Sequence, residues 1–240
     1  MPITALFIKA KNGFLKWSRW ILDAGGVPRV DLHCAKHYFG SHYGGYSVAT
    51  GFLNSDSVIY SFGIGKDISF ENALQQEYQA VIHLFDPTPE SIQWVKSLPP
   101  NTRFVLHAYG LSDVDGTLSL FAPQNANHIS HSLVQHPLSS AHTISVPVKR
   151  LETIMAELAH SQIHLLKMDI EGAEYSVIED IAAGSVRPEQ IVLEFHHHFP
   201  EIGVKKTLQA IKALRNLGYR LFSYSIRLEE FSFIHQSKID

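Results

Sequence analysis

Short apolar runs alternate with amphipathic stretches along the chain from about Ser57 onward. The runs 58–62, 81–85, 104–108, 163–168 and 191–195 are nearly continuous in Val, Ile, Leu and Phe. That is the pattern of parallel strands buried on both faces. The segments between them show helical spacing. Ile92, Val95 and Leu98 form one stripe, ended by Pro99 and Pro100; Leu151, Ile154 and Leu158 form a second; Val177, Ile178 and Ile181 form a third. The clearest helix covers 204–217, with Leu208, Ile211 and Leu214 on one face and Gly218 placed to stop it. Two final strand-like runs, 219–224 and 231–235, are separated by too few residues for a helical crossover, so they pair antiparallel. The expected fold is α/β: a doubly wound sheet, mostly parallel, with an antiparallel C-terminal hairpin.

Two regions fall outside this rhythm. Residues 1–50 are expected to form a helical and loop extension that caps the active site, leaving 51–240 as the main domain. The stretch 112–145 is polar and rich in Gly, Asn, Ser and His, as expected of an elaborated surface loop. At 45% hydrophobic and 18% charged residues, a chain of 240 residues can bury a large core, which excludes disordered and fibrous classes. A net charge of -3 argues against nucleic acid as a partner and against binding to a membrane surface. Cys34 is the only cysteine, so internal disulfides and multi-cysteine zinc sites are excluded and a reducing, cytoplasmic setting is expected. Near the N-terminus, Lys9, Lys11, Lys16 and Arg19 interrupt the apolar residues before they reach the length of a membrane span.

Three segments carry candidate chemistry. In Tyr60-Ser61-Phe62-Gly63-Ile64-Gly65-Lys66-Asp67 a strand runs into Gly-x-Gly and then a helix. Such a turn lets a ligand approach the backbone closely, and helix-start amides favour an anionic group. Equally, it is consistent with simple tight packing. Asp86, at the end of the next strand and followed by Pro87, stands where α/β nucleotide-binding folds place an acid for ribose hydroxyls; it could instead cap the following helix. A nicotinamide-dependent oxidoreductase is disfavoured, because Ile68 replaces the third glycine of G-x-G-x-x-G and no Tyr-x-x-x-Lys pair occurs.

The third segment is Leu166-Lys167-Met168-Asp169-Ile170-Glu171-Gly172-Ala173-Glu174. With the glycine turn before it, Tyr109-Gly110-Leu111-Ser112 between, and Val192-Leu193-Glu194-Phe195-His196-His197-His198-Phe199 after it, the chain resembles the FkbM family of S-adenosylmethionine-dependent methyltransferases from roughly residue 58 to 234. The resemblance implies a class I methyltransferase (Rossmann-like) fold. It further implies S-adenosyl-L-methionine as cofactor, S-adenosyl-L-homocysteine as product, and O-methylation of a small metabolite, sugar or polyketide-like acceptor. A nonenzymatic cofactor-binding module of the same fold is the alternative. The implied cofactor contacts are Phe62, Gly63, Gly65, Asp67, Asp86, Pro87, Leu111 and Ser112, with Pro87, Thr88 and Leu111 sandwiching the adenine. The chain departs from the family at Ser61, where such enzymes carry an acid for the cofactor's ammonium group. Asp67 and Glu71 are the acids of the next turn able to supply that charge.

A hydroxyl acceptor needs a group to take its proton. Asp169 is the first candidate, joined by His196 and His197 as the histidines expected to act on the acceptor. In an extended strand Glu194, His196 and His198 share one face and His197 the other. A general base, rim hydrogen bonding and a metal are each consistent with the triplet; a divalent metal is the least favoured, and no residue is assigned as a ligand. His33, Cys34, His37 and His42 have spacing that could bind metal but read as a polar loop. Tyr43-Gly44-Gly45-Tyr46 and the segment 127–132 are candidate lids.

Overall fold

The computed structural model of the chain describes residue 20 and residues 26–123, 139–199 and 201–239. Its centre is a seven-stranded sheet. From one edge to the other it runs β11 (Tyr219–Tyr224), β12 (Glu230–His235), β10 (Gln190–Glu194), β9 (Leu165–Met168), β3 (Ile59–Phe62), β4 (Ile82–Phe85) and β5 (Phe104–His107). Pairings among β10, β9, β3, β4 and β5 are parallel; β12 pairs antiparallel with both β10 and β11. The doubly wound plan and its antiparallel end therefore stand as expected, with each predicted strand within two residues of its place.

Alternation along the strands splits the core in two. Tyr60, Phe62, Leu166, Met168, Ile191 and Leu193 pack on one face with helices α3 (Leu151–Glu157), α4 (Glu174–Ala183) and α5 (Gly203–Asn216). Ile59, Ile82, Leu84, Leu165 and Val192 pack on the other with α1 (Ser69–Tyr78) and α2 (Pro89–Ser97). Full burial of such side chains contributes about 1.5–3 kcal/mol each. Helix α5 stops at Gly218, whose φ of +92° is open to glycine but strained for other residues.

The two regions without α/β rhythm are not simple loops. Lys36–Phe39 (β1) and Tyr46–Ala49 (β2) form an antiparallel hairpin on the α1 side of the sheet. Gln190 anchors it, its side-chain amide accepting from Ala49 N at 2.9 Å and donating to Ala49 O at 3.3 Å. Within the expected loop 112–145, a β-ribbon pairs β7 (Gly116–Pro123) with β8 (Ser139–Lys149), and the short β6 (Gly110–Leu111) joins its other side. This ribbon is inserted between β5 and α3, the helix that completes the crossover to β9. The segment 127–132 and most of the N-terminal extension lie outside the described residues. At the far edge, Asp31 and Leu32 donate to Leu221 O, and the Asp31 carboxylate accepts from Leu221 N. Among the described residues no helix is long and apolar enough to cross a membrane.

Candidate functional site

A cavity of about 510 Å³ opens beyond the carboxyl ends of β3, β4, β9 and β10, lined there by Gly63, Asp86, Asp169 and Glu194. This is where open α/β sheets hold ligands. Its volume lies within the usual range for a small-molecule site. The ribbon supplies an apolar wall of Leu111, Leu118, Leu120, Val146 and Val148; the hairpin loop adds Tyr43, Gly44 and Tyr46. Lys66, Asp67, Glu71, Lys167, Glu171, His196 and Arg227 add charge to the lining.

The glycine turn is held from two sides. Gly63 has φ +76°, and a Cβ placed there would lie 1.6 Å from Asp169 O. The bare Cα is thus required for β3 to pass β9, rather than for space in the cavity. Asp86 is buried, and its Oδ2 accepts from Ile64 N at 3.0 Å and Gly65 N at 3.1 Å. Its Oδ1 accepts from Thr88 N at 2.9 Å and Thr88 Oγ1 at 2.6 Å. A carboxylate offers about four lone-pair positions, and these partners use them. Asp86 therefore ties the turn to the start of α2; a ribose contact would have to displace one of these bonds. Asp67 also has protein partners: Ser41 Oγ donates to Oδ2 at 2.9 Å and Ser69 N to Oδ1 at 2.8 Å, linking the hairpin tip to the start of α1.

Ser61 and Lys167 are register partners on β3 and β9 and face the α1 side of the sheet. Ser61 Oγ donates to Glu71 Oε1 at 2.5 Å, and Lys167 Nζ donates to Gly63 O. Glu71 is buried, and its second oxygen has no hydrogen-bond partner. Burial pushes this carboxyl above the usual range, against the opposing pull of Lys167 and Ser61.

The other end of the cavity is acidic. Asp169 Oδ1 lies 3.7 Å, and Glu171 Oε2 3.3 Å, from His196 Nε2, while His196 Nδ1 meets the buried Glu174 Oε1 at 2.9 Å. Glu171 reaches this position through a left-handed backbone, φ +52°, a conformation that costs about 1–2 kcal/mol for a residue with a Cβ. Burial alone would lower the affinity of His196 for a proton. The carboxylates of Glu174, Glu171 and Asp169 outweigh it and hold the imidazole charged well above the ordinary histidine range. Burial, reinforced by Asp169, pushes the Glu194 carboxyl well above its usual range and favours the neutral form.

Among the described residues, two sets of side-chain donor atoms lie within 4.8 Å of one another: Asp169, Glu171 and His196, and Glu194, Glu229 and Glu230. Either is compact enough to share a cation, and each already faces one from the protein: the His196 imidazolium, and Arg227, which pairs with Glu230 and lies 3.7 Å from Glu229. His33, Cys34, His37 and His42 do not form such a set.

Of the residues expected from sequence, Phe62, Gly63, Gly65, Asp67, Asp86, Pro87, Leu111, Asp169 and His196 line the cavity. Ser112 and His197 do not. Ser112 is buried behind the ribbon, its Oγ donating to Asp113 Oδ1 at 3.1 Å. His197 is corrected as a candidate for the acceptor side: alternation past β10 turns it to the opposite face, where its ring lies edge-on to Trp20 at 5.4 Å. Tyr43, Gly44 and Tyr46 of the candidate lid segment also line the cavity, whereas Lys167 and Arg227 were given no role from sequence. Lys167 had a legible signal, a lone charge inside a strand otherwise buried and apolar.

Parallel strands wound on both sides, a glycine turn on the first of them and an acid at the end of the second define a nucleotide-type ligand site on a class I methyltransferase sheet. Residues 54–221 match the model of the methyltransferase FkbM domain, and the chain belongs to that family. It is similar to probable methyltransferase-like protein 24 of Homo sapiens, 23% identical over 187 residues, covering 74% of this chain and 45% of that protein. The Rattus norvegicus counterpart is 24% identical over 210 residues, covering 83% and 50% respectively. The chain thus spans about half the length of these curated relatives. Among solved structures, methyltransferase FkbM from Methylobacillus flagellatus KT aligns with a TM-score of 0.48 at 12% identity, covering 78% of this chain and 46% of that one. Aeropyrum pernix fibrillarin, solved with natively bound S-adenosyl-L-methionine, aligns with a TM-score of 0.41 at 8% identity, covering 86% and 83%.

Proposed function

We propose that this domain binds S-adenosylmethionine along the ends of β3, β4 and β9 and transfers its methyl group to a hydroxyl of a small molecule seated beside Asp169. The observation that supports this most directly is the polarity of this cavity: an apolar wall at the ribbon, a buried acid and lysine beneath the glycine turn, and an acidic cluster around Asp169. An adenine, an amino-acid zwitterion and a hydroxyl acceptor need those three surroundings in that order. The residues fit such a group on independent grounds, since the buried Glu71 Oε2 lacks a protein partner.

When bound, the cofactor supplies an electrophilic methyl carbon on a sulfonium. Leu111, Pro87 and the ribbon residues Leu118, Leu120, Val146 and Val148 exclude water around its ring system. The reaction is an in-line displacement, so positioning provides a large share of the acceleration. Asp169 would take the proton of the acceptor hydroxyl as its oxygen accepts the methyl group, the electron pair of the broken carbon–sulfur bond being left on the donor's sulfur. His196 stays protonated and acts as a positioning residue, holding Asp169 and Glu171 in place. It is not the base.

The test is calorimetry on the whole chain with S-adenosylhomocysteine and NAD in parallel, followed by methyl transfer from labelled S-adenosylmethionine to a panel of hydroxyl compounds. Binding of S-adenosylhomocysteine but not NAD, with label on oxygen, is expected. Binding of NAD alone would overturn the reading in favour of an oxidoreductase.

A further inference from the structure

We infer that Glu71, reaching in from helix α1, is the residue that receives the ammonium group of the cofactor's methionyl end. This rests on the cofactor reading above and names a contact within it.

Three observations carry it. First, position 61 on β3 holds a serine, fully buried, so that strand offers no charge of its own beneath the turn. Second, the carbonyl of Gly63 already accepts from Lys167 Nζ. Third, Glu71 extends from α1 to Ser61 Oγ with one oxygen and leaves the other buried, lining the cavity and without a hydrogen-bond partner. Burying a carboxylate oxygen without a partner is costly, and such an oxygen on a residue that lines a cavity points to a ligand. A cationic donor entering the cavity beneath the glycine turn would satisfy it.

Asp67, the other acid of this turn, makes a weaker case, because each of its oxygens already accepts a hydrogen bond, from Ser41 Oγ and Ser69 N, and the residue is only half-buried, so no buried oxygen is left without a partner. Lys167 faces Glu71 from β9 and supplies part of its counter-charge. Its ammonium, however, donates to the Gly63 carbonyl, and Glu71 Oε2 is left without a hydrogen-bond partner. The fold has thus moved an acid from a strand to the adjoining helix, with Ser61 as the hydroxyl that orients it.

The experiment is a calorimetric comparison of three probes on the whole chain: S-adenosylhomocysteine, its analogue lacking the amino group, and 5′-methylthioadenosine. Glu71→Gln should weaken S-adenosylhomocysteine binding by roughly ten- to a hundred-fold, the scale of a hydrogen bond to a charged group. Affinity for the other two probes should stay within about two-fold. Ser61→Asp in the Glu71→Gln background should restore most of the loss, because it returns the charge to the strand. Equal weakening of all three probes, or failure of Ser61→Asp to restore binding to a variant that keeps its thermal unfolding temperature, would overturn the assignment. If the wild-type chain bound none of the three, the cofactor reading itself would fall, and this inference with it.

Discussion

His196 Nδ1 lies 2.9 Å from Glu174 Oε1, both residues are buried, and Glu174 also accepts from the amides of Ile170 and Gly172. One carboxylate thereby fixes both the imidazole and the turn that presents Asp169 and Glu171. Removing one partner of a buried ion pair strands the other, at about 3–5 kcal/mol. Glu174→Ala should therefore lower stability by that order in denaturant unfolding, and a loss below about 1 kcal/mol would count against the arrangement.

The charge on His196 makes a second prediction. Its imidazole should still be protonated at pH 7.5, because three carboxylates outweigh its burial. Histidine ring resonances in an NMR titration should show one ring in the charged form well above pH 6.5. Turnover of the wild-type protein should lack the rise near pH 6.5 that a titrating imidazole base produces. His196→Gln should reduce turnover while leaving S-adenosylhomocysteine affinity within about two-fold. A ring that loses its proton near pH 6.5 would return the base role to this histidine.

At Gly63 the damage should be structural. Even alanine would place a Cβ 1.6 Å from Asp169 O on a backbone of φ +76°, so β3 and β9 must separate. Gly63→Ala should destabilise the empty protein by about 3 kcal/mol or more. A folded variant with unchanged unfolding temperature that had merely lost ligand binding would show that the glycine is needed for cavity space instead.

Asp86→Asn should act on the turn before it acts on any ligand. The neutral amide loses charge-assisted acceptance from Ile64 N, Gly65 N and Thr88. Stability of the empty protein should fall by about 1.5–3 kcal/mol. Comparing S-adenosylhomocysteine with its 2′-deoxy analogue then separates the roles. A direct ribose contact makes the two losses non-additive, whereas a purely structural aspartate leaves them additive.

Acid should weaken the fold through the aromatic face behind β4. His83 stacks on His107, with its Nδ1 3.0 Å from His107 Nε2, and burial together with His160 and His107 pulls its pKa down to about 4. The folded state then binds fewer protons than the unfolded state between about pH 6.5 and 4, so stability is full above that window and is lost as pH falls through it. His83→Phe should flatten the fall in unfolding temperature between pH 7 and 4.5. An unchanged slope would mean that other groups govern acid sensitivity.

The sheet was legible because its central strands are mostly buried on both faces and written in nearly continuous apolar runs such as Ile59–Phe62 and Ile82–Phe85. The β1–β2 hairpin was not. Lys36, His37 and Tyr38 are exposed, so the sequence there carries no apolar alternation, and pairing is set by contacts with α1 and Gln190. In the site, Gly63, Asp86 and Asp169 could be placed because each ends a strand. Their detailed roles depended on neighbours far along the chain: Asp169 O against Gly63, the Ile64 and Gly65 amides on Asp86, and three carboxylates around His196. Strand alternation already set His197 on the face opposite His196, and its ring packs against Trp20 there.

Asp31 has a consequence for how the molecule meets its neighbours. By satisfying both the N–H and the carbonyl of Leu221 from outside the sheet, with its carboxylate braced by Arg215 at 2.8 Å, this segment removes part of the unpaired hydrogen-bonding row that an outermost strand presents. At the opposite border β5 is only four residues long, too short a template for a strand of another molecule to zip onto stably. An open sheet of seven strands thus has both margins blunted against edge-to-edge growth, one by a staple and the other by brevity.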